Sequence, residues 1–262
     1  KAQNMTQSLH PAALVGFGTA AKLYQEVRPT YPAEIQVWLK QQLQLNAEHH
    51  VLDLGTGTGK FIPYLQAVTK HIIAADPIQA MLNELQQKFP DVKTVETVSE
   101  DLPFGDEQFD AVVCAQSFHW FANPTALAEI HRVLKPHGQL GLIWNQRDCG
   151  VPWVNALAEL IAPLEKDTPR FHRKAWKKVF EDQALFAMVK TEQLQHQHIG
   201  TVEQVVSKRL LSTSFIAALP QDQQQQLKQQ FEQIVFEHTG LTANQEICFL
   251  YQTFAYHFQK LS

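Results

Sequence analysis

Val51-Leu52-Asp53-Leu54-Gly55-Thr56-Gly57-Thr58-Gly59-Lys60 decides the fold. Val51 to Leu54 is a short apolar run that stops at three glycines in alternate positions, and a helix follows near Lys60 to Val68. Glycines there let the backbone turn sharply and let a ligand lie against the main chain. Helix-end N–H groups point into the same space. The next apolar run, His71 to Ala75, ends at Asp76-Pro77. An acid at the tip of a second strand, about 20 residues past the glycines, is placed to accept both hydroxyls of a ribose. A dinucleotide fingerprint needs its third glycine where Lys60 stands, but here it is Gly59. Asp53 would also repel a pyrophosphate, whereas it attracts a cationic amino acid moiety.

Outward from this turn, the chain alternates. A helix begins at Pro32, with Ile35, Val37, Trp38, Leu39 and Leu43 on its apolar side. After Asp76 come a helix from about Ile78 to Phe89, a β-rich run from Val92 to Val98, and a strand from Phe109 to Ala115. A helix from Pro124 to Leu134, the turn Lys135-Pro136-His137-Gly138 and a fifth strand from Gln139 to Trp144 complete the series. Short buried strands alternating with helices predict a parallel sheet covered on both faces and joined by right-handed crossovers. Beyond Asn145 the rhythm changes. Val151–Leu164, Lys174–Glu181, Val202–Leu211 and Gln221–His238 read as helices, and Met188–His198 and Ile247–Phe258 as strands.

Composition narrows the function classes. A 45% hydrophobic fraction against 18% charged residues suits a globular chain with a real core. A net charge of -4 argues against a chain-wide footprint for nucleic acid. Cys114, Cys149 and Cys248 are odd in number and far apart, which fits neither a disulfide framework nor a zinc site and suits a reducing cytoplasm. The twelve histidines are not grouped as ligands, and no metal is expected. Neither a membrane-spanning run nor a signal peptide is read. Lys1 to Asn4, ahead of Met5, read as left over from expression. The glutamine-rich Gln221 to Gln230 reads as an exposed helix face.

Asp53-Leu54-Gly55-Thr56-Gly57-Thr58-Gly59 resembles motif I of class I S-adenosylmethionine-dependent methyltransferases. Asp76-Pro77 with Met81-Leu82 is similar to the segment that follows it. Glu100-Asp101-Leu102-Pro103-Phe104 and Phe109-Asp110-Ala111-Val112-Val113 resemble the third and fourth strands of the type 11 subgroup. Val133-Leu134-Lys135-Pro136-His137-Gly138 resembles the turn before its fifth strand, with His137 where a second glycine is usual. Phe17, Ala21, Tyr24 and Arg28-Pro29-Thr30-Tyr31-Pro32, with Gln116-Ser117-Phe118-His119-Trp120-Phe121 and Trp144-Asn145-Gln146-Arg147-Asp148, resemble trans-aconitate methyltransferase-like proteins. The resemblance implies a Rossmann-like seven-stranded mixed sheet: five parallel strands, a C-terminal strand pair with the last strand antiparallel, and a helical cap. It implies one methyltransferase domain over 1–262, divided into an N-terminal cap (1–31), a cofactor-binding core (32–148) and C-terminal helices with the last two strands (149–262). Residues 1–31 and 202–238 are expected over the carboxyl ends of the strands.

Carried over position by position, the resemblance implies S-adenosyl-L-methionine as cofactor. Gly55, Thr56, Gly57 and Gly59 would shape the bed for its methionine part, and Asp53 would serve the amino group. Asp76 would hold the ribose, and Pro77 and Ile78 would line the adenine. Ser99 and Glu100 would meet the adenine edge, although the wider subgroup often has an acid where Val98 stands. Gln116 would offer its backbone near the sulfonium. Tyr24 and Arg28 would close the site from the cap, with Arg28 binding a carboxylate of the cofactor or of the acceptor in two-pronged fashion, and Tyr24, Arg28, His119, Trp120 and Arg147 would bound the acceptor pocket.

Methyl transfer needs a nucleophile placed behind an activated carbon, with water excluded. A base is needed only if the nucleophile must lose a proton. His119 is a candidate base or orienting donor, or a ring packed among Phe118, Trp120 and Phe121. Trp120 is read as a pocket wall, and Arg147 as a second anion-binding group. Arg170, Arg173, Lys174, Lys177 and Lys178 form a basic run interleaved with aromatics, read as a solvated helix face rather than a nucleic-acid surface. A wall that draws in acidic substrates is the third reading. No Asn/Asp-Pro-Pro-Tyr/Phe follows the fourth strand, so the usual amine-methylating site on bases is missing. The expected activity is methyl transfer to a small molecule, with a carboxylate or hydroxyl oxygen as acceptor. The rivals are a cofactor-binding protein without turnover and a nicotinamide-dependent oxidoreductase.

Overall fold

The computed structural model describes residues 9–262, except for the side chains of residues 16–20. Lys1 to Asn4 and the side chain of Phe17 lie outside the described residues. The strands are β1 (His50–Leu54), β2 (His71–Asp76), β3 (Lys93–Glu96), β4 (Phe109–Ala115), β5 (Leu134–Arg147), β6 (Phe186–Thr201) and β7 (Glu246–Lys260). They form one seven-stranded sheet in the order β3-β2-β1-β4-β5-β7-β6. β1 to β5 pair in parallel, and β7 runs antiparallel to both β5 and β6. This is the mixed sheet expected. The order reverses between β1 and β4, which opens a crevice at their carboxyl ends.

The helices are α1 (Pro11–Val27), α2 (Glu34–Gln41), α3 (Ile62–Gln66), α4 (Gln79–Lys88), α5 (Pro124–Val133), α6 (Pro152–Glu165), α7 (Arg209–Leu211), α8 (Ser214–Ala217) and α9 (Gln221–Thr239). Local chemistry sets several of their ends. The Asn123 side chain caps α5 by accepting from Ala126 N–H at 2.9 Å, with Pro124 in the first turn. Gly240, at φ +74°, ends α9 in the left-handed conformation.

The strands alternate between two cores. Val51, Ala111 and Val113 pack with Ile35, Trp38 and Leu39 of α2 on one face. Leu52, Leu54, Val112 and Cys114 pack with Leu127, Ile130 and Val133 of α5 on the other. A third cluster joins Trp153, Leu157 and Ile161 of α6 to Phe231 and Val235 of α9 and to Phe249 and Tyr251 of β7. The N-terminal helix α1 packs on α4 and on α8, so it bridges the two halves of the chain.

Three segments depart from the sequence reading. The turn at 135–138 interrupts β5 rather than preceding it: Phe109 pairs with Leu134, and the register then shifts to Ala111 with Gln139. His137 there has φ +60°, the conformation that favours glycine and explains why a glycine is usual at that place. Lys174–Glu181 is not an α-helix. Left-handed Lys174 separates two 3-10 turns, Phe171–Arg173 and Ala175–Phe180. Val202–Leu211 is a π-helix over Glu203–Lys208 that continues into α7. Its wider turn buries Val205, Val206 and Ser207 and then Arg209 and Leu210, a run that no 3.6-residue period buries together.

Gly55 and Gly57 separate two effects on the β1 turn. Gly55 has φ +70°, and a Cβ on it would stand 2.5 Å from the Ser117 Cβ. Gly57 has φ +57° and open space around that position. Gly55→Ala should cost roughly 2–4 kcal/mol, from backbone strain and overlap together, whereas Gly57→Ala should cost only about 1 kcal/mol of strain. Urea denaturation of the two variants checks the order, and equal midpoints would contradict it.

Candidate functional site

β1 and β2 end side by side, with Leu54 opposite Ala75. The chain then folds back. Gly55 and Thr56 donate their N–H groups to the Ala75 carbonyl at 2.8 and 3.0 Å. Asp76 clamps the turn: its Oδ2 accepts from Gly57 N–H and its Oδ1 from Ile78 N–H, both at 2.9 Å. Burial raises its pKa to about 6 against those two hydrogen bonds. Asp53 lies beneath the turn, 1% exposed. Its Oδ2 accepts from the Thr56 hydroxyl at 2.6 Å, while its Oδ1 is buried with no partner. Desolvation raises its pKa to about 7. A buried acceptor of this kind fits a cationic group.

Two cavities open over these strand ends. The first, of about 650 Å³, is bounded by Gly55, Gly57, Asp76, Pro77, Ile78, Ser99, Glu100 and Gln116. Leu9, Ala13 and Tyr24 of the N-terminal segment cover it. This gathers most of the residues expected to hold the cofactor. Thr56, Gly59 and Asp53 do not line the cavity but support its floor. Gly59, at φ +85°, packs its α-carbon against Leu85 of α4.

The second cavity, of about 550 Å³, adjoins the first. Tyr24, Gln116 and Trp120 line both. It gathers Tyr24, Arg28, His119, Trp120 and Arg147, all expected around the acceptor, and also Arg170 and Arg209. Arg28 does not face the first cavity. Its guanidinium lies 4.2 Å from the Tyr24 ring centroid, and it donates to the Ser212 hydroxyl and carbonyl at 3.1 and 2.9 Å. Arg147 Nη1, Arg209 Nε and Ser214 Oγ are buried without partners, and all three residues line this cavity. Burial and the neighbouring guanidiniums hold Arg28 and Arg170 down to about 9 and lower Arg147 as well. Arg170 is therefore no solvated cation, although Lys174 and Lys178 of the same run are exposed. The nearby carboxylate is Glu165, shared among Arg170, His172 and Arg173.

Asn145 fixes the wall between the cap and the sheet. Its side chain donates to the Thr30 carbonyl at 2.9 Å and accepts from the Thr253 hydroxyl at 2.6 Å. Its backbone N–H donates to Gln116 Oε1 at 2.9 Å. Gln116 is held at φ +58°, a strained value for a non-glycine residue at the tip of β4. Sequence reasoning missed Arg209 and Ser214, and it set Arg170 aside. Among the described residues no cluster of His, Cys, Asp or Glu could hold a metal, and no helix is long and apolar enough to cross a membrane.

Residues 52–142 match the family model described as a methyltransferase domain. An uncharacterized methyltransferase-like protein of Schizosaccharomyces pombe is 36% identical over 245 residues, covering 93% of this chain and 95% of its own. An uncharacterized methyltransferase of Mycobacterium tuberculosis is 36% identical over 187 residues, 67% of this chain and 75% of its own. A solved structure from Anaeromyxobacter dehalogenans, to which type II methyltransferase activity has been ascribed, superposes with a TM-score of 0.65 at 20% identity. That alignment covers 89% of this chain and 97% of the other, and at this identity it speaks for the fold alone.

Asp53 carries a pH dependence whose sign follows from its raised pKa. In the unfolded chain the carboxyl titrates near its ordinary value of 3.8, and in the native state near about 7. The native state therefore binds the proton more tightly. The stability this confers is full below about 4 and is lost as pH rises through about 7. Asp53→Asn removes the loss. Its melting temperature in the ligand-free protein should exceed the parent's by a few degrees at pH 8, and the margin should close toward pH 5. A margin independent of pH would assign the effect to packing instead.

Proposed function

Since the chain belongs to the S-adenosylmethionine-dependent methyltransferase family, we propose that it methylates an oxygen of a small acidic acceptor held in the arginine-lined cavity. The observation that carries this reading is the shared wall. Tyr24, Gln116 and Trp120 bound both cavities, one floored by carboxylates and the other lined by guanidiniums. When bound, the cofactor supplies a methyl carbon made electrophilic by its sulfonium.

The residues of the first cavity suit that cofactor. Asp76 offers charged acceptors for ribose hydroxyls, Pro77 and Ile78 an apolar wall for adenine, and Ser99 and Glu100 polar groups for its edge. Gly55 and Gly57 leave the main chain bare for the methionine part, and buried Asp53 complements its ammonium through the floor. In the second cavity Trp120 and Tyr24 wall off water, while Arg147 and Arg209 bring positive charge that suits an anion, and each keeps one buried side-chain nitrogen without a partner. Arg28 serves both the cap and the pocket through its bonds to Ser212. The chain acts as one unit in this reading, because the N-terminal segment, the strand ends and the segment from Arg209 to Ser214 all supply walls.

Two measurements test the reading. Asp76→Ala should weaken S-adenosylhomocysteine binding by about 1.5–3 kcal/mol in calorimetry, through loss of charge-assisted hydrogen bonds. In a panel of carboxylic acids, phenols, thiols and amines, turnover should fall on acids, and Arg147→Ala should raise their KM at least about tenfold. Activity confined to neutral or cationic acceptors would reject the anionic pocket.

A further inference from the structure

His119 is the imidazole that lines the second cavity. The Trp144 indole N–H donates to its Nδ1 at 3.0 Å. An indole nitrogen can only donate, so Nδ1 is the bare, accepting nitrogen, and in the neutral ring the proton sits on Nε2. To become charged, the ring would have to give up that hydrogen bond. Its surroundings oppose the charge. Burial, Arg170 and His172 from the segment after α6, and Arg28 at the end of α1 together push its pKa down to about 3. Trp120 and Trp144 hold the ring plane, with centroids 5.2 and 6.2 Å away. No carboxylate lines this cavity among the described residues. Glu165 is engaged with Arg170, His172 and Arg173. Tyr24 and Ser214 contribute hydroxyl groups, and the remaining charged groups are guanidiniums, which only donate.

We propose that His119, its tautomer set by Trp144, donates a hydrogen bond to the methyl acceptor and is not a base, so that the acceptor atom is an oxygen already ionised on arrival: a carboxylate. This rests on the second cavity being the acceptor site. The chemistry then balances without proton transfer. A carboxylate oxygen forms the new O–C bond, and the C–S bond of the donor breaks with its electron pair left on sulfur. The products are a methyl ester and S-adenosylhomocysteine. A hydroxyl acceptor would release a proton that no lining group is placed to take. Trp144 is a positioning residue, acting through the ring it orients.

The first test reads the ring itself. In 15N-labelled protein with S-adenosylhomocysteine, NMR should show His119 neutral from pH 5 to pH 9, with Nε2 protonated and Nδ1 bare. Trp144→Phe, with folding checked by the remaining spectrum, should leave a mixture of tautomers. A charged ring or an Nδ1 proton at pH 7 in the parent overturns the proposal. The second test reads the product, with malate and 4-hydroxybenzoate as probes, each carrying a hydroxyl beside carboxylate. Labelled methyl should be released as methanol by mild alkali, as from an ester, and an alkali-stable ether overturns the proposal. His119→Asn donates but cannot act as a base. It should lose less than about tenfold in turnover and His119→Phe more, whereas loss of a base costs about 10²–10⁴ in either variant. Absence of turnover on every acid tried rejects the acceptor-site reading, and the NMR measurement still decides the state of His119.

Discussion

Arg28, Arg147, Arg170 and Arg209 are held in one cavity against their mutual repulsion, and the elements that hold them there enclose the site. Each comes from a different part of the chain: the end of α1, the end of β5, the segment after α6, and α7. The opposition is visible in the lowered pKa of Arg28, Arg147 and Arg170, in each of which another guanidinium takes part. What resists it is covalent connection to a packed frame. Arg147 is anchored by the β5–β7 ladder, where it lies opposite Tyr251. Arg28 is tied to Ser212, and Arg170 to Glu165 and the Phe215 ring. An anion in the cavity would relieve the repulsion among these guanidiniums.

The two cavities are opposite in sign. The first lies over Asp53 and Asp76, both desolvated, and the second is lined by guanidiniums. A cationic methyl donor and an anionic acceptor would each be attracted to one side and repelled from the other. This ordering needs no moving part. It follows from Asp53 and Asp76 standing at the carboxyl ends of β1 and β2, while Arg147 ends β5 and Arg170 and Arg209 come from the segments that follow it. The cost is an unliganded site with unpaired polar atoms and strained backbone at Gln116, which is where functional sites concentrate strain.

Legibility in the sequence followed range. The β1 turn, Asp76 and the parallel strands were readable because strand, glycines, helix and acid lie within a few tens of residues and each has a local signature. The last two strands were readable from loose alternation in one and aromatic and β-branched content in the other, and their antiparallel pairing from the family resemblance, though both strands proved longer than expected. Arg209 was not readable, because a π-helix has no periodic signature and the arginine sits in what looks like an ordinary amphipathic stretch. Arg170 was misread for a related reason. It begins a basic run whose later members are largely exposed, and composition cannot show that Arg170 is buried against Glu165 at the cavity wall. The cofactor role expected for Arg28 also depended on a distance no sequence supplies, that between the end of α1 and Ser212.

His119 shows the deepest limit of the sequence reading. A histidine after the fourth strand is equally compatible with a base, a donor or packing, since its chemistry lies in which ring nitrogen carries the proton. That is decided by Trp144, 25 residues away and two steps along the sheet from β1, through a single hydrogen bond. Trp144 in turn is fixed by its stack on Phe171 and by a tilted contact with Trp176, with centroids 4.8 and 4.5 Å away, and by the edge of Tyr256 on β7. The C-terminal strand pair therefore does more than complete the sheet. Through Tyr256 it helps hold the indole that donates to His119 Nδ1, and in the proposed reading the direction of that one hydrogen bond, more than the identity of the histidine, would decide which kind of acceptor atom the pocket uses.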